Sequence, residues 1–352
     1  MLALNSFALG FSAPATSAPA TDLPATKMPS WVNETAICAG GRCIKPAMKY
    51  ERIIADQPGF QWDDAGGYCG SWASQRAILA QGAWVSQQQV RDHTSPCGGH
   101  DEEILSCNIA EALTNLKIDF EAFDFANTPT PQTDAYAKWI KKQLVSGYAV
   151  AWMIMWSGQS YPIYNLKPPA GMYGHVEPVI GIQSNHPLTD STVYEDDVLV
   201  HYTDAGIKTV HRPISSIAGT WAGPGHPADC GDYSYCIGNP YGFGWAVKGF
   251  ADDKKAVAVP ASLSIKPFRS EPDTRSGEKP EALTGSLTAT ELAVGTKYDI
   301  YRWDSVKEAF IYSDEYKKTS FTATSETYTY DDDKTFSSDG TTYYRCVKAG
   351  SV

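Results

Sequence analysis

Cys69, His175 and Asp204 are the residues of this chain whose types and order suit covalent chemistry. Cys69 stands in GGYCGSWAS, where the glycine pair Gly66 and Gly67 leads into a stretch of helical composition. The pattern predicts a helix from about residue 70 to 81, closed by Gly82, with Trp72, Ala73, Ile78 and Leu79 as apolar side chains. Unpaired backbone N–H groups at a helix start stabilise a thiolate. Gly70 has no side chain to cover the sulfur. The plainer reading of Cys69 is a buried small hydrophobe or half of a disulfide.

A thiol nucleophile needs a base, an acceptor that orients the base, and donors for the developing oxyanion. His175, in MYGHVEPVIGI, follows a Gly-rich loop and opens an apolar strand, so its imidazole is expected at the mouth of a sheet. Asp204 follows the next apolar strand, VLVHYT, and is the expected orienter, with Thr203 and His201 as alternatives. Alternation along that strand places His201 and Thr203 on one face and Tyr202 and Asp204 on the other. The Cys69 N–H and the Gln61 side-chain amide are the expected oxyanion donors. Asp63, Tyr68 and Trp72 are candidate substrate-binding residues, Asp63 for an amine group. His175, Asp204 and Gln61 each have a plain alternative: a structural or surface histidine, a turn aspartate, a surface glutamine.

With 352 residues and 43% hydrophobic content, the chain can bury a large core in two domains. Its net charge of −11 argues against nucleic acid or an anionic membrane as partner. The 8 cysteines are informative. Cys38 and Cys43, Cys97 and Cys107, and Cys230 and Cys236 are three short-range disulfide candidates, which leaves Cys69 and Cys346 over; spacing alone does not fix connectivity. Paired cysteines imply an oxidising compartment. MLALNSFALGFSA is apolar without a basic start and reads as an atypical or truncated export signal, too short to span a membrane. The chain is therefore expected to be secreted. No residue pattern calls for a metal or another cofactor.

Three regions follow. Residues 1–30 read as a signal, pro-region or linker rich in Pro, Ala, Thr and Ser. Residues 31–257 place helices first (70–81, a short one capped by Ser86, 108–116 capped by Asn108, 134–144). Strands come next, at Ala149–Trp156, Val176–Ile182, Val198–Tyr202 and Tyr241–Phe250. That order is α+β. Residues 258–352 carry short strand-like runs and read as a small all-β sandwich. Its tyrosines suit a glycan or protein ligand as well as strand packing. Asp331, Asp332 and Asp333 read as a solvated turn in preference to a calcium site.

The segments GGYCGSWAS, GHVEPVIGI and VLVHYTDAG together resemble papain-like cysteine peptidases, with the C39-like branch, the bacteriocin-processing leader peptidases, closest in pattern. In that branch a Cys-Gly pair opens the helix, as Cys69-Gly70 does here. The family histidine lies in a Gly-His-apolar segment, matched by Gly174-His175-Val176. The third residue lies past the next strand, matched by Asp204, and the oxyanion glutamine precedes the cysteine, matched by Gln61. Trp72-Ala73 follows Cys69 by three residues, where papain relatives space the pair by one. The resemblance covers about residues 50–257 and implies a papain-like fold and thiol-based acyl transfer on a peptide or protein substrate. A non-catalytic binding protein with a degenerate peptidase domain, and a ligase or transglutaminase-like enzyme, are the alternatives.

Overall fold

An almost unbroken apolar run, Val150–Ser157, forms the strand at the middle of the larger sheet. A strand covered on both faces needs such a run, because neither face meets water. The computed structural model describes residues 48–54, 61, 67–97, 103–124, 127–129, 132–157, 172–202, 209–214, 235–236, 244–266 and 281–352. The first part contains β1 (Tyr50–Ile53), α1 (Cys69–Leu79), β2 (Ala83–Val85), α2 (Gln87–Asp92), α3 (Ile109–Asn115), β3 (Ile118–Ala122) and α4 (Gln132–Val145). It continues with β4 (Val150–Ser157), β5 (Met172–Ser184), β6 (Val198–Tyr202), β7 (Thr209–Pro213), β8 (Tyr235–Cys236) and β9 (Gly244–Phe250). The larger sheet runs β3-β9-β4-β5-β6-β7, with β1 joined to β5 and β8 to β4. All of these pairings are antiparallel.

Each face of this sheet has its own cover. Val150, Trp152, Ile154, Val179 and Leu199 pack with Tyr136, Ile140 and Leu144 of α4. Ala151, Val176, Trp245 and Val247 belong to the core that holds Ala73 and Ala77 of α1. Trp72 adds a small cluster with Ile180, Val200 and Tyr202.

Residues 70–79 of α1 are all buried. A helix enclosed on every side shows only a weak apolar stripe, and its polar residues need partners inside. α2 supplies them: Arg91 Nε donates to Ser71 Oγ at 3.3 Å, and Gln87 Nε2 donates to Gln75 Oε1 at 3.4 Å. Gly82 takes φ +97 just past the helix, a conformation that costs glycine least. Ser86 caps α2 as expected, its Oγ accepting from Gln89 N at 3.1 Å. Asn108 does not cap α3 with its side chain. Its Oδ1 instead accepts from Leu105 N at 2.7 Å, and its Nδ2 donates to Glu103 O at 2.8 Å. A loop that needed its own backbone satisfied has taken the amide from the helix.

The last third holds β10 (Ala261–Lys266), β11 (Ala282–Ala289), β12 (Lys297–Trp303), β13 (Lys317–Thr322), β14 (Tyr328–Ser337) and β15 (Thr341–Lys348). They form a three-stranded sheet, β10-β11-β14, and a four-stranded one, β13-β12-β15-β2. Leu263, Ile265, Leu283 and Leu287 from the first meet Tyr298, Ile300, Tyr344 and Cys346 from the second in one core. The fourth strand is β2, which follows α1 directly: Thr341, Thr342 and Tyr343 pair with Val85, Trp84 and Ala83. Residue 258 therefore does not part the chain into two hydrogen-bonded units. Leu79 and Trp84 enter the last third's core, while Tyr301, Trp303, Tyr343 and Val347 enter that of α1.

Several of the tyrosines proposed for ligand binding face inward: Tyr298 and Tyr301 are buried, and Tyr328 stacks on Phe321. Residues 309–310 lie in a turn, where Phe310 packs against Trp303 and Tyr343. Asp331–Asp333 lie within β14, not in a solvated turn. Asp332 is buried there, accepting from Arg302 Nη1 and Tyr344 Oη, each at 2.8 Å.

Candidate active site

Cys69 is the first residue of α1. No side chain caps this end, and the first turn carries no acidic residue. Both features leave the positive end of the helix open to a thiolate. The thiol is free and partly buried, whereas Cys97 and Cys107 form a disulfide. Tyr68, just before it, is clamped: its hydroxyl donates to Gln88 Oε1 at 2.8 Å, and the Arg91 guanidinium lies 3.2 Å from its ring centroid.

Gly70 serves a purpose other than the one expected of it. A Cβ on this residue would lie 2.5 Å from the Ile104 carbonyl oxygen and 2.9 Å from the Ile104 Cβ. The loop held by the Cys97–Cys107 disulfide and by Asn108 thus rests on the first turn of α1. Glycine is required there for close packing.

The direction of α1 follows from its far end. Gln81, two residues past the helix, donates from Nε2 to Gly147 O at 3.2 Å, just ahead of β4. The helix therefore runs back from the start of β4, and Trp72 sets its first turn over β5 and β6. The exit of β4 pairs with the entry of β5, where Ile154 stands opposite His175.

His175 begins on the other face of the sheet. It pairs with Ile154, and Glu177 pairs with Trp152, both on the α4 face; Val176 pairs with Met153 on the α1 face. The β5–β6 ladder reaches only from Gln183 to Val179. N-terminal to Val179, β5 is laddered to β4 alone among the described residues. Cys69 and His175 are thus disposed on either side of this flank of β5. His175 is 6% exposed, with Nε2 at 3.8 Å from Glu177 Oε1. Glu177 Oε2 in turn lies 2.9 Å from His201 Nδ1, and both of these side chains are fully buried. The Trp152 ring covers His201, their centroids 5.5 Å apart.

Among the remaining candidates, Gln61 is half-buried, and its Oε1 has no hydrogen-bond partner among the described residues. Tyr68 and Trp72 are 2% and 0% exposed. They are packing residues, the former under Arg91 and the latter against Ile180, Val200 and Tyr202, so neither lines a substrate groove. Asp63, Asp204, Thr203, Cys38, Cys43 and Cys230 lie outside the described residues, as does the side chain of Cys236. His201 and Tyr202 point to opposite faces, as strand alternation requires. Cys346 is buried in the core of the last third, and burial pushes its thiol up to about 12. Among the described residues, no three His, Cys, Asp or Glu side chains are arranged to hold a metal ion, and no helix is long and apolar enough to cross a membrane. A cavity of about 550 Å³ opens at the far end of α1, lined by Gln81, Tyr148, Lys248 and Thr290. Cys69 stands at the opposite end of that helix and takes no part in its lining.

Glu177 is the residue that sequence reasoning passed over. Its signal was present: a carboxylate inside the apolar run VEPVIGI, two residues from a histidine and so on the same strand face. A charge at such a position must be paired.

No family model matches the chain, and no curated protein matches it. Two of the solved structures that match do so at 11% identity and a TM-score of 0.29. One is a variant of the clostridial cysteine protease Cwp84 after propeptide cleavage; the match covers 84% of this chain and 81% of that chain. The other holds the cysteine protease and lectin-like domains of Cwp84, a surface-layer-associated protein of Clostridium difficile, with 87% of this chain and 78% of that chain covered. At that score the likeness does not establish a shared fold.

Proposed function

We propose that the chain is a secreted papain-like cysteine peptidase in which Cys69 is the nucleophile and His175 the general base. The observation that carries this reading is the seat of Cys69: a free thiol at the uncapped start of a buried helix whose first turn lies over β5, the strand that carries His175. The Cys97–Cys107 disulfide supports an oxidising compartment and hence secretion.

The reaction needs few parts. The Cys69 proton passes to His175, and Sγ attacks the carbonyl carbon of a peptide or isopeptide bond. The tetrahedral oxyanion is met by the Cys69 N–H and the Gln61 amide. As the C–N bond breaks, His175 returns the proton to the leaving amine, and a thioester remains. His175 then takes a proton from water, the hydroxide adds to the thioester carbon, and the C–S bond breaks to release the acid and the thiol. Where a second amine takes the place of water, the same intermediate gives a transfer product. The scheme also needs an acceptor that orients His175, and Asp204 is the one that the family resemblance suggests.

A second reading, a binding protein with a degenerate peptidase domain, is favoured by one observation. His175 starts on the face opposite α1 and is nearly closed off from solvent. Cleavage of a mixed peptide library by the wild-type chain and by Cys69→Ala separates the two. Turnover lost in Cys69→Ala supports the peptidase. Equal turnover in both, or none in either, supports the binding protein.

A further inference from the structure

We propose that Glu177, in place of the Asp204 that the sequence suggests, is the positioning residue for His175, and that His201 holds the Glu177 carboxylate in place. This inference rests on the peptidase reading above and extends it to the face of the sheet away from Cys69.

The geometry is one-sided. His175 and Glu177 are two residues apart on a strand whose ladder to β4 is regular, so their side chains leave the same face. His175 Nε2 is the ring atom turned toward Glu177, at 3.8 Å from Oε1. The other carboxylate oxygen lies 2.9 Å from His201 Nδ1. Trp152, Ile154 and Val179 close the surroundings with apolar surface. An ionised carboxylate with no exposed surface is tolerated only when paired. Two imidazoles flank the carboxylate, His201 at 2.9 Å and His175 at an ion-pair distance of 3.8 Å, and either offsets its charge when protonated.

The consequence is a choice of tautomer. At 3.8 Å the carboxylate accepts no hydrogen bond from Nε2, but its negative charge favours the proton on that nitrogen and leaves Nδ1 as the basic one. Nδ1 is then the atom that takes the Cys69 proton. His201, fixed by Trp152 and by its contact with Glu177, keeps the carboxylate from rotating away. Glu177 touches no reacting atom in this scheme and acts through His175 alone.

The test has two independent arms. Selective 15N-histidine labelling in the Cys69→Ala background removes the thiolate that would keep the ring cationic, and a His175→Gln variant assigns the signal. The expected neutral form carries its proton on Nε2, with Nδ1 bare. Glu177→Gln is expected to give a mixture or the reverse tautomer, and Glu177→Asp to keep the Nε2–H form. A Nδ1–H form in the Glu177-containing protein overturns the proposal even if Glu177→Gln does not fold.

The second arm is kinetic and uses the Cys69-containing chain. Glu177→Gln is expected to lower kcat on the order of 10²-fold with little change in KM, since the general base and its orientation are worth that much. Glu177→Asp is expected to restore most of it. A Glu177→Gln chain that is folded by circular dichroism and fully active overturns the proposal. Absent turnover in the wild-type chain would instead remove the peptidase reading, and the tautomer measurement would still decide the role of Glu177.

Discussion

The carbonyl oxygen of Ile104 would stand 2.5 Å from a Cβ on Gly70, which ties the disulfide loop to the first turn of the helix that carries Cys69. The contact is with backbone, so it cannot be relieved by turning a side chain. In an exposed helix, replacing glycine with alanine is favourable by about 1 kcal/mol. Here the sign is expected to reverse: Gly70→Ala should destabilise by about 1–3 kcal/mol through overpacking. Denaturant unfolding measures it, and a Gly70→Ala protein as stable as the wild type would show that the loop does not press on α1.

The same loop makes the Cys97–Cys107 disulfide a stability element. It closes a separation of 10 residues. Loss of such a short loop closure is worth about 2–3 kcal/mol in the unfolded chain. Cys97→Ser with Cys107→Ser should lower the thermal midpoint, and dithiothreitol should lower it further in the wild type than in the double variant. An unchanged midpoint in both cases would contradict this.

The last third should not be separable from the rest. Leu79 and Trp84 sit in its core, and β2 completes its four-stranded sheet. Trp84 Nε1 also donates to Ser338 O at 3.1 Å, and Tyr343 Oη donates to Leu116 O at 2.9 Å. A chain ending after residue 257 would expose those side chains and the free edge of β2. It should fail to give a cooperative unfolding transition, and a stable, soluble 1–257 fragment would show that the sandwich is an appendage.

Cys346 predicts an alkaline slope in stability. Burial holds its thiol up to about 12, while a cysteine in an unfolded chain loses its proton near about 8.5. Between these values the folded state keeps a proton that the unfolded chain has released. Its contribution is therefore full below about pH 8.5 and declines as pH rises toward about 12. Cys346→Ala removes the thiol with a small loss of volume and should flatten this part of the curve. Thermal midpoints of the two proteins from about pH 7 to about pH 9.5 make the comparison, since the tyrosine ionisation centred at about pH 10 is common to both. Parallel curves would contradict it.

Much of the fold was legible because it rests on local chemistry. VLVHY is a strand with the boundaries that its residues suggest, and Ser86 caps its helix as a serine before Gln89 should. What was hidden depended on distant partners. AWV, three residues long, carries no strand signal of its own and becomes one only against Thr341–Tyr343. The Asn108 amide was equally suited to a helix cap and to a loop, and the loop of Glu103 and Leu105 claimed it. At the candidate site, alternation separated His201 from Tyr202 correctly. The same rule, applied one strand earlier, sets His175 with Glu177 and away from Val176, but only the ladder to β4 says which helix covers which face. Tyr68 and Trp72 illustrate the limit of composition: aromatic residues beside a nucleophile serve packing as readily as recognition.

The account stands on the pairing of Cys69 with His175 across the flank of β5. The most direct measurement is the second-order rate of native iodoacetamide labelling at Cys69 against pH, in the wild type and in His175→Ala. At about pH 6 an ordinary thiol is almost wholly protonated and reacts slowly. The account predicts that the wild type still labels at Cys69 there, that Cys346 stays unmodified, and that His175→Ala loses this low-pH reactivity while remaining folded. Superimposable pH profiles for the two proteins would contradict it.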